Sequence, residues 1–262
     1  MRLLCRPTRN MVGKRGHPSE NTPRDPEWNT SDSLREVAIT STLRIGHRGA
    51  AGHAPENTLA AIWKARSFHA DLIEVDLRET NDGHLVLLHD ETVDRTTNKT
   101  GLVAAMSLEQ VQRLDAGNGQ RIPTLEEALE IAAGALGMIL ELKVDGIGTD
   151  ACAIVKRSGF RDPLIYASFL FNELHRIRQA DPVAKLMVLL PRMLPRDPVS
   201  DVVAVRASHV GLHFSSVSAA LIQTYHNLGR VVFTYTVNEP ADIRRLRDMG
   251  IDGIISDFPD RI

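Results

Sequence analysis

Histidine, arginine and carboxylate side chains lie in three successive apolar segments of the sequence. His47 and Arg48 end the first segment, Glu74 and Asp76 lie in the second, and His89 ends the third. Histidine can accept and donate protons at neutral pH because its reference pKa is about 6.5. Arginine can hold an anion through paired hydrogen bonds, and carboxylates are ligands for hard divalent cations. Together these are the groups that cleavage of a phosphate ester requires.

A third carboxylate and a second cation follow further along the chain. In extended strands, side chains two residues apart share a face, so Glu74 lies beside Asp76 and Glu141 lies beside Lys143. Buried carboxylates cost free energy unless they bind a cation or a basic partner. Three of them suit Mg²⁺, Ca²⁺ or Mn²⁺ better than zinc. For one acidic pair alone, the alternative to metal binding is a salt bridge to Arg48 or Lys143. These two cations could neutralise the carboxylates and also hold a phosphate.

The segments that carry these residues alternate between strand and helix patterns. Short aliphatic runs alternate with segments of helical periodicity from about Leu43 onward, which is typical of a parallel α/β sheet. We predict strands at Leu43–Gly46, Leu72–Leu77, Met138–Lys143, Leu164–Ala167, Lys185–Leu189, His209–Phe214, Val231–Thr236 and Gly253–Ser256. We predict helices at Thr58–Phe68, Leu125–Ala133, Asp150–Ser158, Phe171–Ala180, Val199–Ala207, Ser218–Leu228 and Pro240–Met249. Eight strands with interleaved helices predict a TIM (β/α)₈ barrel, whose active sites lie at the carboxyl ends of the strands.

The predicted barrel departs from regular alternation in two places. An insertion of about residues 81–123 follows the second strand, and it begins with a hairpin strand that ends at His89 over the mouth of the barrel. The final helix is expected to be reduced or missing, because few residues follow the eighth strand. Residues 1–40 are expected to form a polar extension, partly disordered or packed on the barrel of residues 41–262. Ser31–Thr40 would then cover the bare strands.

The overall composition excludes several classes of protein. The chain has 262 residues, 43% of them hydrophobic, so it can bury a large core. A net charge of −2 gives no field that would recruit nucleic acid, so any anionic ligand must be held locally. Cys5 and Cys152 lie far apart, and no apolar run approaches the roughly 20 residues of a membrane span. We therefore expect a cytoplasmic protein with a small-molecule partner, and the sequence makes no prediction of its oligomeric state.

The candidate residues belong to a set of motifs that runs from Ile45 almost to the last residue. The motifs are His47-Arg48-Gly49, Ala54-Pro55-Glu56-Asn57-Thr58, Glu74-Val75-Asp76-Leu77, Asp82-Gly83, His89-Asp90, Arg95-Thr96-Thr97 with Gly101, Arg121-Ile122-Pro123-Thr124-Leu125, Glu141-Leu142-Lys143, Ser168-Phe169, Thr236-Val237-Asn238 and Asp252-Gly253-Ile254-Ile255-Ser256-Asp257-Phe258-Pro259. With this ordered set, the sequence strongly resembles the glycerophosphodiester phosphodiesterases.

The resemblance implies a phosphoric diester hydrolase with a TIM-barrel fold. Its members cleave glycerophosphodiesters, such as deacylated phospholipids, to glycerol 3-phosphate and an alcohol. The resemblance also implies a divalent metal ion held by Glu74, Asp76 and Glu141, with His47 and His89 as the acid/base pair and Arg48 and Lys143 on the phosphate. The attacking group could be water or the substrate's own glycerol hydroxyl. Either histidine could be the acid.

Two other functions fit parts of the pattern. A phospholipase D-like relative would act on lysophospholipids with the same metal carboxylates, and apolar residues near the mouth, such as Phe169, would admit the lipid. A non-catalytic barrel that binds a phosphorylated metabolite would need neither histidine. All seven candidate residues are present, which favours the enzyme.

Three further polar residues within these motifs carry weaker signals. Glu56 could contact the site, but a role at the start of the helix that follows it is favoured. Asp90 could orient His89 or begin the next turn. Arg95 is a polar loop residue, and the spacing of its motif alone assigns it no chemical role.

Overall fold

A closed barrel of eight parallel strands forms the centre of the molecule. The computed structural model describes residues 41–262, so the predictions for residues 1–40 lie outside the described residues. The strands are β1 (Leu43–His47), β2 (Leu72–Glu79), β3 (Leu85–Leu87), β4 (Gly137–Leu142), β5 (Leu164–Ser168), β6 (Lys185–Leu190), β7 (His209–His213), β8 (Val231–Tyr235) and β9 (Gly253–Ser256). Parallel pairing runs from β1 through β2 and then β4 to β9, and β9 returns to β1. The predicted TIM barrel is confirmed.

Helices lie between successive barrel strands, as the sequence predicted. Within residues 41–262 they are α1 (Leu59–Ser67), α2 (Leu108–Gln112), α3 (Leu125–Ala132), α4 (Gly148–Ser158), α5 (Phe171–Ala180), α6 (Ser200–Ala204), α7 (Ala219–Asn227) and α8 (Pro240–Asp248). After β9 the described chain forms only a 3₁₀ turn, Pro259–Arg261, in agreement with the expected reduction of the final helix. No helix of residues 41–262 is long and apolar enough to cross a membrane.

Two helices differ from the sequence prediction by more than two residues at an end. The helix predicted over Val199–Ala207 is confined to α6, and Arg206 beyond its end adopts a left-handed backbone with φ 52°, which cannot continue a helix. The other is α2, a single short helix in the insertion, which was not predicted. Its signal was present, because Ser107 and Gln110 cap each other's backbone N–H groups at its start.

The alternation of residues along β2 explains how the barrel positions polar groups. Ile73 and Val75 point outward into the core between the sheet and the helices, whereas Leu72 packs in the lumen. Glu74 and Asp76 follow Leu72 on the lumenal face because every second side chain shares a face. The apolar lumen therefore ends at β2 in two buried carboxylates, at the carboxyl end of the strand.

The insertion is a packed unit on the mouth of the barrel. β3 pairs antiparallel with the end of β2, so it lies outside the ring of barrel strands. A small apolar cluster of its own supports it, formed by Val86, Leu88, Val93, Val103, Val111, Leu114, Ala116 and Ile122. The backbone N–H of Leu88 donates to the carbonyl of Asp76 at 3.0 Å. This bond brings the end of the hairpin strand, and with it His89, to the mouth.

The buried histidine of β7 makes a testable contribution to acid sensitivity. His209 is 3% exposed, and its Nε2 has no hydrogen-bond partner among residues 41–262. Burial, and then the charge of Lys185, lowers the pKa of His209 to about 3. Its unfolded-state pKa is about 6.5, so the unfolded chain binds more protons between these values and stability falls as the pH drops below about 6.5. Between pH 7 and pH 5 we expect this group to remove about 2 kcal/mol from the free energy of unfolding.

Denaturant unfolding at both pH values tests this expectation. The variant His209→Asn should lose most of that pH dependence, whatever its absolute stability. His69→Asn is the control, because His69 is exposed and should leave the dependence unchanged. An unaltered pH dependence in His209→Asn would contradict the assignment.

Candidate active site

A tight turn at the end of β1 aims two candidate residues into the mouth. His47 is the last residue of β1, and Arg48 and Gly49 then adopt left-handed backbones with φ 49° and 84°. A Cβ atom on Gly46 would lie 2.1 Å from the carbonyl oxygen of Gly49, so the close approach requires glycine. The turn is tied to the neighbouring strand, because the Arg48 N–H donates to Glu74 Oε2 at 3.1 Å.

Three carboxylates and two cations converge beside this turn. Glu74, Asp76 and Glu141 each place an oxygen within 4.8 Å of the others. Lys143 Nζ donates to Glu141 Oε1 at 2.6 Å and lies 3.5 Å from Asp76 Oδ1. Arg48 Nε lies 3.2 Å from Asp76 Oδ2. The convergence predicted for these five residues is confirmed, and the salt bridges considered as the alternative occur within the same cluster.

The cluster fits a hard divalent cation. The cations nearby pair with Asp76 and Glu141, but Glu74 Oε1 is buried with no hydrogen-bond partner among residues 41–262. Burial, and then the charges of Asp76 and Glu141, raises the pKa of Glu74 well above its usual range. Burial and Asp76 likewise raise the pKa of Glu141. A bound cation would give the free oxygen a partner and offset this repulsion, so the three residues could bind a metal ion.

Lys143 remains a cation within this cluster. Burial opposes its charge, but the carboxylates of Glu141 and Asp76 raise its pKa above the ordinary value. Arg48 is in the same position, because Asp76, Glu56 and Glu74 raise its pKa against the effect of burial. Both side chains can therefore bind an anion as well as the carboxylates.

Asp257 orients His47, although it was not among the predicted site residues. Asp257 follows β9, and its Oδ1 lies 2.6 Å from His47 Nδ1. Asn238 donates through Nδ2 to Asp257 Oδ2 at 2.6 Å. Despite burial, the hydrogen bond from His47 lowers the pKa of Asp257, so it is ionised at neutral pH and accepts the Nδ1 proton. His47 Nε2 is then left facing the cluster, 3.9 Å from Glu74 Oε2.

His89, on the insertion, also has a carboxylate beside its Nδ1, as His47 does. Its Nδ1 lies 2.6 Å from Asp90 Oδ1, and its carbonyl accepts a hydrogen bond from Arg78 Nε at 2.9 Å. Burial is the main cause that lowers the pKa of His89 below its ordinary value. Of the two roles considered for Asp90, orientation of His89 therefore matches the contact that forms.

Of the two roles considered for Glu56, contact with the site is the one that forms, and the favoured helix-start role was wrong. Thr58 caps α1, whereas Glu56 Oε1 accepts a hydrogen bond from Arg48 Nη1 at 2.6 Å. Both oxygens of Glu56 also accept hydrogen bonds from Arg95, at 2.7 and 2.8 Å. The sequence offered no signal for this contact, because Glu56 and Arg95 are 39 residues apart.

Apolar side chains share a pocket with two of the carboxylates. The pocket is lined by His47, Glu74, Glu141, Ala167, Phe169, Met187, Leu189, Tyr235 and Ile255. Phe169 and Tyr235 meet edge to face with 6.0 Å between ring centroids. The pocket thus combines charged and apolar lining residues, which suits a ligand that has one charged and one less polar end.

Comparisons with known proteins agree with this geometry. The chain is 36% identical over 234 residues to the protein YhdW of Bacillus subtilis (strain 168), which covers 83% of this chain and 95% of that protein. It is 35% identical over 236 residues to a glycerophosphodiester phosphodiesterase of Caldanaerobacter subterraneus subsp. tengcongensis, which covers 84% of this chain and 96% of the relative.

A solved structure shares the fold over almost its whole length. It is an Oleispira antarctica phosphodiesterase in complex with the product sn-glycerol-3-phosphate, with a TM-score of 0.79 and 27% identity over 86% of this chain and 97% of that one. The sequence profile of the glycerophosphoryl diester phosphodiesterase family matches residues 47–261. The chain therefore belongs to the glycerophosphoryl diester phosphodiesterase family.

Proposed function

We propose that the protein hydrolyses glycerophosphodiesters to glycerol 3-phosphate and an alcohol. The observation that carries this proposal is the convergence of the carboxylate cluster, the two histidines and the two cations at one mouth of the barrel. The named activity of the Caldanaerobacter relative and the product bound to the Oleispira enzyme support it.

We assign the charged residues to the phosphate and to a metal ion. Glu74, Asp76 and Glu141 would hold a divalent cation, which we propose to be Mg²⁺ or Ca²⁺, with Mn²⁺ as a further candidate. When bound, this ion would withdraw charge from the phosphate oxygens. Arg48 would hold the phosphate through paired hydrogen bonds, and Lys143 would act as a point charge.

We assign the two histidines to proton transfer. One of them, His47 or His89, removes the proton from the attacking hydroxyl as the new phosphorus–oxygen bond forms. The other donates a proton to the leaving alcohol oxygen as its bond to phosphorus breaks. If water attacks, glycerol 3-phosphate forms directly. If the glycerol hydroxyl attacks, a cyclic phosphate forms first, and water then opens it.

Assays of the purified protein test the proposal. Glycerophosphocholine, glycerophosphoethanolamine and glycerophosphoglycerol should each release glycerol 3-phosphate when Mg²⁺ or Ca²⁺ is present. EDTA should stop the release, and the added cation should restore it. If none of the three substrates is turned over with either cation, the proposal is wrong.

A specific observation favours lysophospholipids as a second substrate class. An apolar cleft of about 350 Å³ lies beside the carboxylate pocket, and Phe169 and Leu189 line both. Met193, which is 85% exposed, also lines this cleft. A lipid chain could lie along this cleft. If so, lysophosphatidylcholine should be cleaved at a rate comparable with glycerophosphocholine, and Met193→Lys should slow only the lipid.

The proposed reaction has a place in lipid and glycerol metabolism. Its product, glycerol 3-phosphate, keeps the glycerol backbone and the phosphate of phospholipids that have lost their acyl chains, and the headgroup alcohol is released. We propose that the reaction takes place in the cytoplasm, because the cysteine spacing gives no disulfide pattern typical of exported proteins. Fractionation of cells that express the protein tests the location.

The variant Asp257→Asn should impair catalysis without disrupting the site. Asn238 Oδ1 accepts from Ser256 Oγ and from the residue 257 N–H, so its Nδ2 must point at residue 257. An asparagine there would turn its oxygen to Asn238 and its N–H₂ to His47, which forces the proton of His47 onto Nε2. We expect kcat to fall about 100-fold or more.

Steady-state kinetics with glycerophosphocholine measure this loss. Asp260→Asn is the matched control, because Asp260 makes a similar contact with His53 outside the pocket. The control should keep full activity. A kcat for Asp257→Asn close to that of the control would show that the contact with His47 has no role in turnover.

A further inference from the structure

An uninterrupted ion-pair chain joins the insertion to the end of β1. His89 Nδ1 contacts Asp90 Oδ1 at 2.6 Å, and Asp90 Oδ2 accepts from Arg95 Nε at 2.6 Å. Arg95 Nη1 and Nη2 donate to the two oxygens of Glu56 at 2.8 and 2.7 Å. Glu56 Oε1 also accepts from Arg48 Nη1 at 2.6 Å. The ends of this ion-pair chain are two residues that we assign to catalysis, and Arg95 is at its centre.

Backbone contacts hold Arg95 at this place. It lies in a loop that is closed by the bridge between Thr92 and Leu102 and by a hydrogen bond from the Val93 N–H to the Gly101 carbonyl at 3.0 Å. Thr97 closes a turn back onto the Val93 carbonyl at 3.0 Å. The guanidinium therefore comes from a braced loop, and its three bonds use one edge for Glu56 and the Nε–H for Asp90.

We propose that Arg95 is a positioning residue that fixes His89 and Arg48 relative to each other. The proposal rests on the proposed function. Through Asp90, Arg95 keeps the proton of His89 on Nδ1, so that Nε2 faces the substrate. Through Glu56, it sets the direction of the Arg48 guanidinium toward the phosphate. The two catalytic residues come from separate parts of the chain, and within residues 41–262 this ion-pair chain connects their side chains.

The chemistry of the contact requires arginine. One planar guanidinium binds Glu56 through two parallel hydrogen bonds and still presents Nε–H to Asp90. A lysine ammonium is a single point charge and cannot hold both carboxylates in fixed directions. The pKa of Asp90 is lowered, chiefly by the hydrogen bond from Arg95, so Asp90 stays ionised as an acceptor for His89.

Two double-variant comparisons separate positioning from a merely structural role. Arg95→Ala should lower kcat about 30-fold with glycerophosphocholine, and Arg95→Lys should restore only part of the loss. In the Asp90→Ala background, adding Arg95→Ala should change kcat less than about threefold, because the path to His89 is already cut. Arg95→Ala should also raise KM, because Arg48 loses the direction that Glu56 and Arg95 give it. In the Glu56→Gln background this rise in KM should be smaller, because the path to Arg48 is already weakened.

The tautomer of His89 gives a readout that needs no activity. In ¹⁵N spectra, the His89 ring signals of the unchanged protein should show the proton on Nδ1, and Arg95→Ala should show a mixture of tautomers. Arg113→Ala is the matched control. It removes an exposed insertion arginine that pairs with Glu109, and it should leave kinetics and spectra unchanged.

Two outcomes would overturn the role of Arg95. The first is a kcat for Arg95→Ala within about threefold of the unchanged protein. The second is an undiminished loss when Arg95→Ala is added to Asp90→Ala, which would mean that Arg95 acts independently of that path. Failure of the proposed function is distinguishable, because then the unchanged protein itself would not turn over glycerophosphocholine. The thermal midpoint of Arg95→Ala should stay within about 3 °C, since surface ion pairs contribute little to stability.

Discussion

Replacing Glu74 by glutamine should abolish metal-dependent turnover while leaving the metal-free protein at least as stable. Glutamine has the size of glutamate and can still accept the hydrogen bond from the Arg48 N–H. It removes a buried charge that lies against Asp76 and Glu141, and burial with these neighbours raises the pKa of Glu74. The metal-free variant should therefore unfold at a temperature equal to or above that of the unchanged protein.

The same change should remove the response to the cation. A ligand that binds only the folded state raises the thermal midpoint, so Mg²⁺ or Ca²⁺ should stabilise the unchanged protein and not Glu74→Gln. We expect kcat/KM to fall about 1,000-fold, because a cation on the phosphate oxygens is worth several kcal/mol of transition-state stabilisation. Calorimetric titration, thermal unfolding and kinetics measure the three effects. Glu130→Gln on the exposed face of α3 is the control.

The stability of the metal-free variant distinguishes loss of a metal ligand from general damage to the site. Loss of activity alone would follow from any damage to the site, but a gain or retention of metal-free stability would not. If Glu74→Gln were strongly destabilised without metal, the carboxylate would have a structural partner, and its assignment as a metal ligand would be wrong.

The fold could be predicted from the sequence because its signals are local. The two-residue alternation in β2 and β4 and the helical periodicity between strands set each element without knowledge of its neighbours. The bounds that differ have local causes too, such as the left-handed backbone of Arg206 that ends α6 early. Closure into a barrel then follows from the number of βα units, since eight strands of this kind close on themselves.

The candidate site could be predicted only in part. The convergence of the carboxylates followed from strand register, because Asp76 pairs with Glu141 on adjacent strands. The contact of His47 with Asp257 spans 210 residues and depends on closure of β9 against β1. Asp257 follows a strand end, so the reasoning that selected His47 could have selected it as well. Arg95 lies in a loop, where no periodicity indicates which partner the side chain will meet.

Replacing either histidine by alanine should also abolish turnover, and the pair of variants can identify the acid. A general acid or base contributes about 100- to 10,000-fold, so His47→Ala and His89→Ala should each lose at least about 1,000-fold in kcat with glycerophosphocholine. Both residues are partly exposed at the mouth and outside the apolar core, so the thermal midpoints should change little. His84→Ala, an exposed histidine of the insertion, is the control.

A substrate with a different leaving alcohol distinguishes the general acid from the general base. An alcohol such as p-nitrophenol departs without a proton, so a glycerophosphodiester with this leaving group should no longer need the acid, whereas it still needs the base. We expect one variant to recover most of its activity with this substrate and the other to stay inactive. The variant that recovers has lost the acid. Near-normal activity of either variant with glycerophosphocholine would contradict the assigned acid/base pair. Recovery of both variants with the activated substrate would show that neither histidine is needed to deprotonate the attacking hydroxyl, which would leave that step to another group at the mouth.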